Sequence, residues 1–170
     1  MSMEIKSQFE HKGQIYNVHY IEEEPTTNLE EGKKVGGVHC LSFFGDKMVI
    51  VNNKKGMWTP PGGMIEVGET YLEAGVREIQ EESNMKVLYQ EYIGYQDVAW
   101  SGRQERQART FAIVEPFGEF VSDPDEDILE IKLIDLSEFN TYCKWGEVGD
   151  RLVERALELK KEYDARTHLG

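Results

Sequence analysis

Residues 63–85 read GMIEVGETYLEAGVREIQEESNM, and this stretch decides the interpretation of the rest of the chain. The segment 54–68, which overlaps its start, is dense in glycine and proline, as is typical of a loop. A helical pattern follows over 71–83, and Thr70 with Glu73 three residues later predicts a capping box at the helix start. The sequence therefore predicts a loop that leads into a capped helix.

Three glutamates of this helix, Glu78, Glu81 and Glu82, fall within a sector of roughly 100°. Like charges three and four residues apart each disfavour an isolated helix by roughly 0.2 to 0.5 kcal/mol, so the cluster favours a bound cation. Carboxylate oxygens suit Mg²⁺, with Mn²⁺ as an alternative. In so acidic a protein, an ordinary solvated helix face is the competing interpretation.

The apolar residues Leu72, Val76 and Ile79 fall on a different sector of the same helix. We therefore expect one face to pack and the other to be acidic. Ala74 falls on the acidic side, where its small side chain would leave room for a ligand to approach the carboxylates.

The spacing of these residues resembles the box of the Nudix hydrolases, a MutT-like family. That box runs as Gly, five residues, Glu, seven residues, Arg, Glu, an aliphatic residue, any residue, Glu, Glu, any residue, Gly and an aliphatic residue. Asn84 replaces the final glycine, and since Asn tolerates the left-handed conformation, we expect an effect on helix termination rather than on chemistry. The matching positions, before the closing apolar Met85, are Gly63, Glu69, Arg77, Glu78, Ile79, Glu81 and Glu82.

The resemblance implies a Nudix fold of the α/β (α+β) class, with a mixed β-sheet sandwiched between helices. The pattern of the chain predicts the same class, because strands, a helix, further strands and a second helix follow one another. We expect one domain over 1–170, with an N-terminal β-hairpin and polar loop in 1–34 and the catalytic core in 35–165. The predicted strands are 5–9, 15–21, 35–43, 47–51, 86–98, 109–115 and 128–136, and the second helix is 147–163.

The resemblance also implies an enzyme that cleaves a diphosphate linkage with Mg²⁺. Glu78, Glu81 and Glu82 would bind the metal together with the backbone carbonyl of Gly63. Arg77 and Glu69 would organise the site, because the guanidinium can hold a carboxylate in its metal-binding rotamer. A surface ion pair is the alternative for those two residues.

The general base is open between a box glutamate and a later carboxylate. The resemblance points to Glu126 as the later candidate, with Asp125 and Asp127 as close competitors. A plain acidic turn is at least as good an interpretation of that segment.

The candidates for substrate binding are cationic or aromatic: Lys54 and Lys55 near the loop, Trp58 as a stacking surface, and Arg109 on a strand. Solvated charge and core packing are the competing interpretations. The proline of the ADP-ribose subgroup is absent, since Trp100 and Ser101 stand there, and so is the tyrosine of dinucleoside polyphosphate hydrolases. A nucleoside triphosphate or another nucleoside diphosphate derivative is therefore the expected substrate.

The overall composition restricts the kinds of molecule that the protein is expected to bind. A formal net charge of −13 argues against a broad basic surface for nucleic acid. Cys40 and Cys143 lie in no disulfide or zinc pattern, and no signal peptide or apolar run of membrane-spanning length is present. We expect a cytoplasmic protein that binds a small-molecule nucleotide and contacts no membrane. The resemblance also allows a homodimer, because family members are often dimers.

Two rival functions share the expected fold. A Nudix-like sensor would bind a nucleotide or nucleotide sugar without cleaving it, and the intact glutamates argue against this. An isopentenyl diphosphate isomerase would use an additional cysteine and glutamate, and the sequence around Cys40 does not resemble such a site.

Overall fold

A computed structural model describes residues 1–26, 34–119 and 127–168. Within these ranges no helix is both long and apolar enough to cross a membrane. The strands are β1 (Glu4–His11), β2 (Gln14–Ile21), β3 (Val35–Phe44), β4 (Lys47–Asn53), β5 (Trp58–Thr59), β6 (Gly62–Met64), β7 (Met85–Trp100), β8 (Arg103–Pro116) and β9 (Ile128–Ile134). The helices are α1 (Tyr71–Ser83), α2 (Phe139–Tyr142), which follows a 3₁₀ turn at Leu136–Glu138, and α3 (Gly146–His168).

The strands form a single mixed sheet. Its order is β1-β2-β7-β8-β3-β4-β5, while β6 pairs with β3 and β9 pairs with β4. The central pair β3–β8 is parallel, and the other described pairs are antiparallel. The predicted mixed sheet and its N-terminal hairpin are confirmed.

Each face of the sheet carries its own hydrophobic core, because side chains alternate between the faces along a strand. One core lies under α3 and the other under α1, which confirms the predicted sandwich. The α3 core includes Leu41, Phe43, Met48, Ile50, Phe111, Leu152, Ala156 and Leu159. The α1 core includes Val38, Cys40, Val49, Ala108, Ala112, Ala74 and Ile79.

The hairpin of β7 and β8 is longer than predicted. Its turn is Ser101-Gly102, and both residues have positive φ, 43° and 71°. The first residues of β8 read RQERQ, and so polar a composition does not predict a strand. They are strand because each pairs with β7, which shows how tertiary pairing overrides composition.

The glycine- and proline-rich segment before α1 also differs from the prediction of a plain loop. It contains β5, which pairs with β4, and β6, which pairs with β3. Gly62 lies so close to β3 that an added Cβ would be 2.1 Å from the Val38 carbonyl oxygen. Strand pairing therefore holds this segment against the sheet shortly before the helix begins.

Candidate active site

Helix α1 begins and ends as its sequence predicts. Thr70 Oγ1 accepts a hydrogen bond of 3.1 Å from Glu73 N, and the Glu73 carboxylate accepts one of 2.9 Å from Thr70 N. At the other end, Asn84 adopts φ 53° and ψ 42°, and its N–H donates to the Gln80 carbonyl. The capping box and the left-handed role of Asn84 are confirmed.

The predicted division of α1 into a packing face and an acidic face is wrong. Of the three apolar residues expected to pack, Ile79 is buried, but Leu72 and Val76 are 36% and 44% exposed. Ala74, expected to leave room beside the carboxylates, is fully buried in the α1 core.

The cause is that α1 packs through its smallest residues. Ala74 and Gly75 allow the helix axis to approach the sheet, so the sector around them is buried. Glu82 lies in the same sector and is 7% exposed, and the Glu78 side chain is 13% exposed. The carboxylates therefore lie along the buried side of the helix rather than opposite it.

A polar contact sets the depth of this packing. A Cβ added to Gly75 would lie 2.2 Å from Gln90 Oε1 and 3.0 Å from Cys40 Sγ. Gln90 Nε2 donates to the Leu72 carbonyl at 3.0 Å, and Gln90 Oε1 accepts from Thr110 Oγ1 at 2.9 Å. Gln90 thus links α1 to β8 at the point where the missing side chain leaves space.

Gly75→Ala is expected to lower the free energy of unfolding, because overpacking costs roughly 1 to 3 kcal/mol. The higher helix propensity of alanine offsets about 1 kcal/mol of this cost. The cost should shrink in a Gln90→Ala background, because the closest clashing atom is gone. Urea unfolding of the wild type, both single variants and the double variant measures this coupling. Equal costs in both backgrounds would show that Gln90 does not set the helix position.

Arg77 connects α1 to the loop before it. Its Nε and Nη2 donate to the two carboxylate oxygens of Glu69 at 2.8 and 2.9 Å, and Nη2 also donates to the Met64 carbonyl at 2.9 Å. Nη1 donates to Glu78 at 2.9 Å and to Glu81 at 3.3 Å. The hydrogen bonds from Arg77 lower the pKa of Glu69 to about 2, and Glu69 in turn raises the pKa of Arg77. Arg77 therefore orients two of the predicted metal ligands.

The glycines of β6 lie directly against the other side of the carboxylates. Gly62 N donates to Glu82 Oε1 at 3.3 Å. A Cβ on Gly63 would be 2.4 Å from Glu78 Oε1 and 2.7 Å from its Cδ. With Glu78 in this position a Cβ on Gly63 would collide with the carboxylate, so the backbone of Gly63 adjoins the Glu78 carboxylate.

This donor set fits a hard divalent cation in its chemistry. Glu69, Glu78 and Glu81 face the single positive charge of Arg77, and the buried Glu82 lies on the same helix. Carboxylate and carbonyl oxygens are the preferred ligands of Mg²⁺. Within the described ranges, however, no three His, Cys, Asp or Glu side chains are gathered closely enough to hold a metal ion, so the carboxylates would have to draw together around it.

The other predicted site residues lie apart from this cluster. Lys54 is exposed and pairs with Asp127 at 3.2 Å, and Lys55 is exposed in the following turn. Trp58 is half-buried and packs edge-on against a tyrosine. Glu126 lies outside the described residues.

Arg109 lies on the α3 side of the sheet, 3% exposed. Its guanidinium donates to the Ala108 carbonyl at 3.1 Å and to Gln107 Oε1 at 2.9 Å, and it stands 5.0 Å from the ring centroid of Trp145. Its Nε has no hydrogen-bond partner in the described part of the chain. Burial lowers the pKa of Arg109 to about 10.

His39 is a neighbour that sequence reasoning missed. It pairs with Arg109 across the parallel strands β3 and β8, and its Nδ1 also lacks a hydrogen-bond partner among the described residues. Burial, together with the charge of Arg109, lowers its pKa to about 3. No local motif marks His39, because only the strand register brings it beside Arg109.

The lowered pKa of His39 predicts that the folded state loses stability in acid. Between the ordinary pKa of 6.5 and the folded value of about 3, the unfolded state binds a proton at His39 that the folded state does not. The free energy of unfolding should therefore fall as pH falls through this window, by up to about 1.4 kcal/mol per pH unit from this residue. Urea unfolding of His39→Gln across the window should show a shallower slope, whereas His11→Gln, at an exposed residue, should keep that of the wild type. Identical slopes for His39→Gln and wild type would refute the prediction.

The chain matches the NUDIX domain family over residues 33–155. Among curated relatives, it is 34% identical over 115 residues to the NAD-capped RNA hydrolase NudC of Salmonella agona, covering 67% of this chain and 43% of that protein. It is also 34% identical over 76 residues to the m7GpppN-mRNA hydrolase NUDT17 of Xenopus laevis, covering 41% of this chain and 23% of the relative. The chain thus spans less than half the length of these relatives.

Solved structures share the fold. The pyrophosphohydrolase BsRppH of Bacillus subtilis superposes with a TM-score of 0.68 at 18% identity, covering 89% of this chain and 96% of that one. A structure of UDP-X diphosphatase gives a TM-score of 0.60 at 16% identity, covering 74% of this chain and 64% of that one. Identities this low establish the architecture alone.

Proposed function

We propose, from the premise that this chain belongs to the Nudix hydrolase family, that it is a Mg²⁺-dependent enzyme that cleaves a diphosphate linkage in a nucleoside diphosphate derivative. The observation that carries this proposal is the cluster on α1. Arg77 holds Glu78 and Glu81, and the Gly62-Gly63 backbone lies against Glu78 and Glu82. Carboxylate oxygens on one helix beside a bare backbone would suit a cation that bridges to phosphate, once the carboxylates draw together around it.

The proposed metal ligands are the Gly63 carbonyl and the carboxylates of Glu78, Glu81 and Glu82. A divalent ion held there would neutralise the diphosphate and make its phosphorus more open to attack by water. Arg77 serves this arrangement by bonding the Met64 carbonyl of β6 to the helix and by fixing the carboxylate orientations. Mn²⁺ is a second ion that this donor set accommodates.

Water must lose a proton as it attacks, and a nearby carboxylate is the proposed acceptor. The candidates are a box glutamate and Glu126, and the choice between them stays a prediction. A carboxylate suits the role because it is ionised at neutral pH and needs only to be placed within hydrogen-bond reach of the water.

The proposed substrate is a nucleotide, most simply a nucleoside triphosphate. The relative NudC is an NAD-capped RNA hydrolase, and this supports a nucleotide substrate without selecting a member of the class. We assign substrate contacts to Lys54, Lys55, Trp58 and Arg109, the cationic and aromatic residues predicted from sequence.

Arg109 has the strongest physical case among them. A buried guanidinium without a carboxylate partner in the described residues is costly, and its unpaired Nε–H can donate only to an acceptor. An oxygen acceptor of the substrate would satisfy it. Trp145 shields one side of the cation, so the ligand would meet the guanidinium edge.

A substrate panel tests the function. The protein, incubated with Mg²⁺ and with nucleoside triphosphates, nucleotide sugars and dinucleotides, should release phosphate, pyrophosphate or nucleoside monophosphate from at least one class. Release should stop on addition of EDTA and return with excess Mg²⁺. A folded, metal-loaded protein that binds a nucleotide but cleaves none would support the sensor alternative instead.

Arg109→Met is expected to raise the KM for the cleaved nucleotide by roughly tenfold or more, since a hydrogen bond to a charged group contributes about 1.5 to 3 kcal/mol. The kcat should change less, because Arg109 is not among the proposed metal ligands. Arg103→Met removes an exposed charge near the start of the same strand and serves as the matched control. A wild-type KM in Arg109→Met would remove this residue from the substrate site.

The isomerase alternative loses support from the position of Cys40. Its thiol is fully buried under α1, and this burial raises its pKa to about 12. A thiol so far from ionisation is a poor participant in acid-base chemistry at neutral pH.

A further inference from the structure

The outer edge of β1 is an unpaired strand edge in the described structure. β1 pairs with β2 on one side and ends the sheet order on the other. Seven of its eight residues are exposed and Ile5 is half-buried, so the strand has solvent on its edge and largely on both faces. A long exposed edge is a template for another strand.

The hairpin turn determines which residues of β1 face this edge. Lys12 and Gly13 both have positive φ, 50° and 77°, as in a two-residue turn of type I′. His11 and Gln14 flank the turn as a directly opposed pair. In such hairpins the flanking pair exchanges hydrogen bonds, so the odd-numbered residues of β1 bond to β2. The even-numbered residues direct their N–H and C=O groups to the free edge.

The even-numbered residues carry a self-complementary charge pattern. They are Glu4, Lys6, Gln8 and Glu10, followed by Lys12 in the turn. We propose that β1 pairs antiparallel with β1 of a second copy of this chain about a two-fold axis at Gln8. In this register each Lys6 is opposite Glu10 of the other copy, and each Glu4, whose carboxylate also contacts His19 of β2 in its own chain, approaches the Lys12 of the other copy.

The same charges disfavour the neighbouring registers. Moving the axis one residue toward the N-terminus places Glu4 opposite Glu10, and one residue toward the C-terminus places Lys6 opposite Lys12. Charges on an edge strand normally prevent pairing, and directly opposed like charges are destabilising. Of these three registers, only the one centred on Gln8 has no like charges opposite each other.

The odd-numbered face gives the pairing an apolar component. Phe9 is 49% exposed and stacks on Tyr16 with ring centroids 4.8 Å apart. In the proposed register Phe9 is opposite Ser7 of the second copy, with that copy's Ile5 and Phe9 as diagonal neighbours. Aromatic side chains reach such diagonal positions, so pairing would cover a ring that the monomer leaves half in water.

A second copy of this chain is the occupant that these observations select. The charge pattern complements itself only when the two strands run antiparallel, which is the geometry of a two-fold dimer. The strand order would continue from β1 of one copy into β1 of the other, joining the two sheets into one. The interface lies on the N-terminal hairpin and uses none of the carboxylates of α1.

A charge exchange tests the proposal. Sedimentation velocity over a concentration series should show a dimer for the wild type. Lys6→Glu and Glu10→Lys should each raise the dimer Kd by tenfold or more, since each places like charges opposite at two symmetric points. The double variant Lys6→Glu/Glu10→Lys should return to wild-type dimerisation with the same net charge as the wild type. Lys86→Glu makes the same change in net charge as Lys6→Glu at an exposed strand residue away from β1 and should leave the dimer intact.

A proline scan separates pairing from folding. Gln8→Pro removes an N–H directed to the free edge. The variant should therefore be monomeric, and its thermal melt should still show the cooperative transition of a folded protein. Ser7→Pro removes an N–H bonded to β2 and should lower the melting temperature. A monomeric wild type, or a dimer indifferent to the single charge reversals and to Gln8→Pro, would overturn the proposal.

Discussion

Glu82→Gln is expected to lower turnover by roughly 10²-fold or more, in line with the loss of a charge that stabilises the transition state through a bound metal. Glutamine has the same shape, and its amide oxygen can still accept from Gly62 N, which lies 3.3 Å from the carboxylate. The fold should therefore be kept while one buried negative charge is lost. This makes the variant a test of charge rather than of packing.

Two measurements separate these effects. Without metal, Glu82→Gln should unfold at the same temperature as the wild type or higher, because a charge that is 7% exposed has been removed from an acidic cluster. With Mg²⁺ or Mn²⁺, its gain in melting temperature should be smaller than that of the wild type. Glu115→Gln, at an exposed residue on β8, is the matched control and should behave as the wild type. Wild-type turnover in Glu82→Gln would refute the proposed metal site.

Gly63→Ala is expected to reduce kcat by roughly one to two orders of magnitude, because a displacement of about 1 Å in a catalytic group can cost 10²-fold. The new Cβ would lie 2.4 Å from Glu78 Oε1, a separation that forces the carboxylate or the β6 backbone to move. Either movement disturbs the 2.9 Å bond between Arg77 and Glu78. The substitution is the smallest that a glycine permits, so the effect would arise from the contact itself.

Gly36→Ala is the matched control for this variant. It adds the same methyl group to a neighbouring strand, where the nearest atom would be Glu105 Oε1 at an ordinary 3.6 Å. Steady-state kinetics of both variants at a temperature where thermal melts show them folded gives the comparison. Equal kcat values for Gly63→Ala and Gly36→Ala would show that the close approach to Glu78 has no catalytic consequence.

Local features of the sequence were predicted well. The bounds of α1, its capping box and the left-handed Asn84 follow from residues within a few positions of each other. The strands β3 and β4, joined by a turn at Gly45-Asp46, have the same local character. Predictions of this kind succeed because backbone hydrogen bonding and turn geometry are decided over short stretches of chain.

The predictions that failed depended on neighbours distant in sequence. Periodicity alone placed Leu72 and Val76 on the packing face, but the sheet accepts α1 through Ala74 and Gly75. The polar first half of β8 is strand because β7 runs beside it. A helix has several sectors that can pack, and a polar segment can be either loop or strand. The element that packs or pairs with each segment decides which of these forms.

By itself, the sequence determined the family, through the spacing from Gly63 to Glu82, and with it the mixed sheet between helices. Only the tertiary structure decided that Glu82 is buried beside Gly62, that Gln90 limits the approach of Gly75, and that His39 adjoins Arg109. The physical reason is the difference between local and nonlocal interactions. The motif is a run of neighbours along one helix, whereas each of these contacts joins segments brought together by strand register and helix packing.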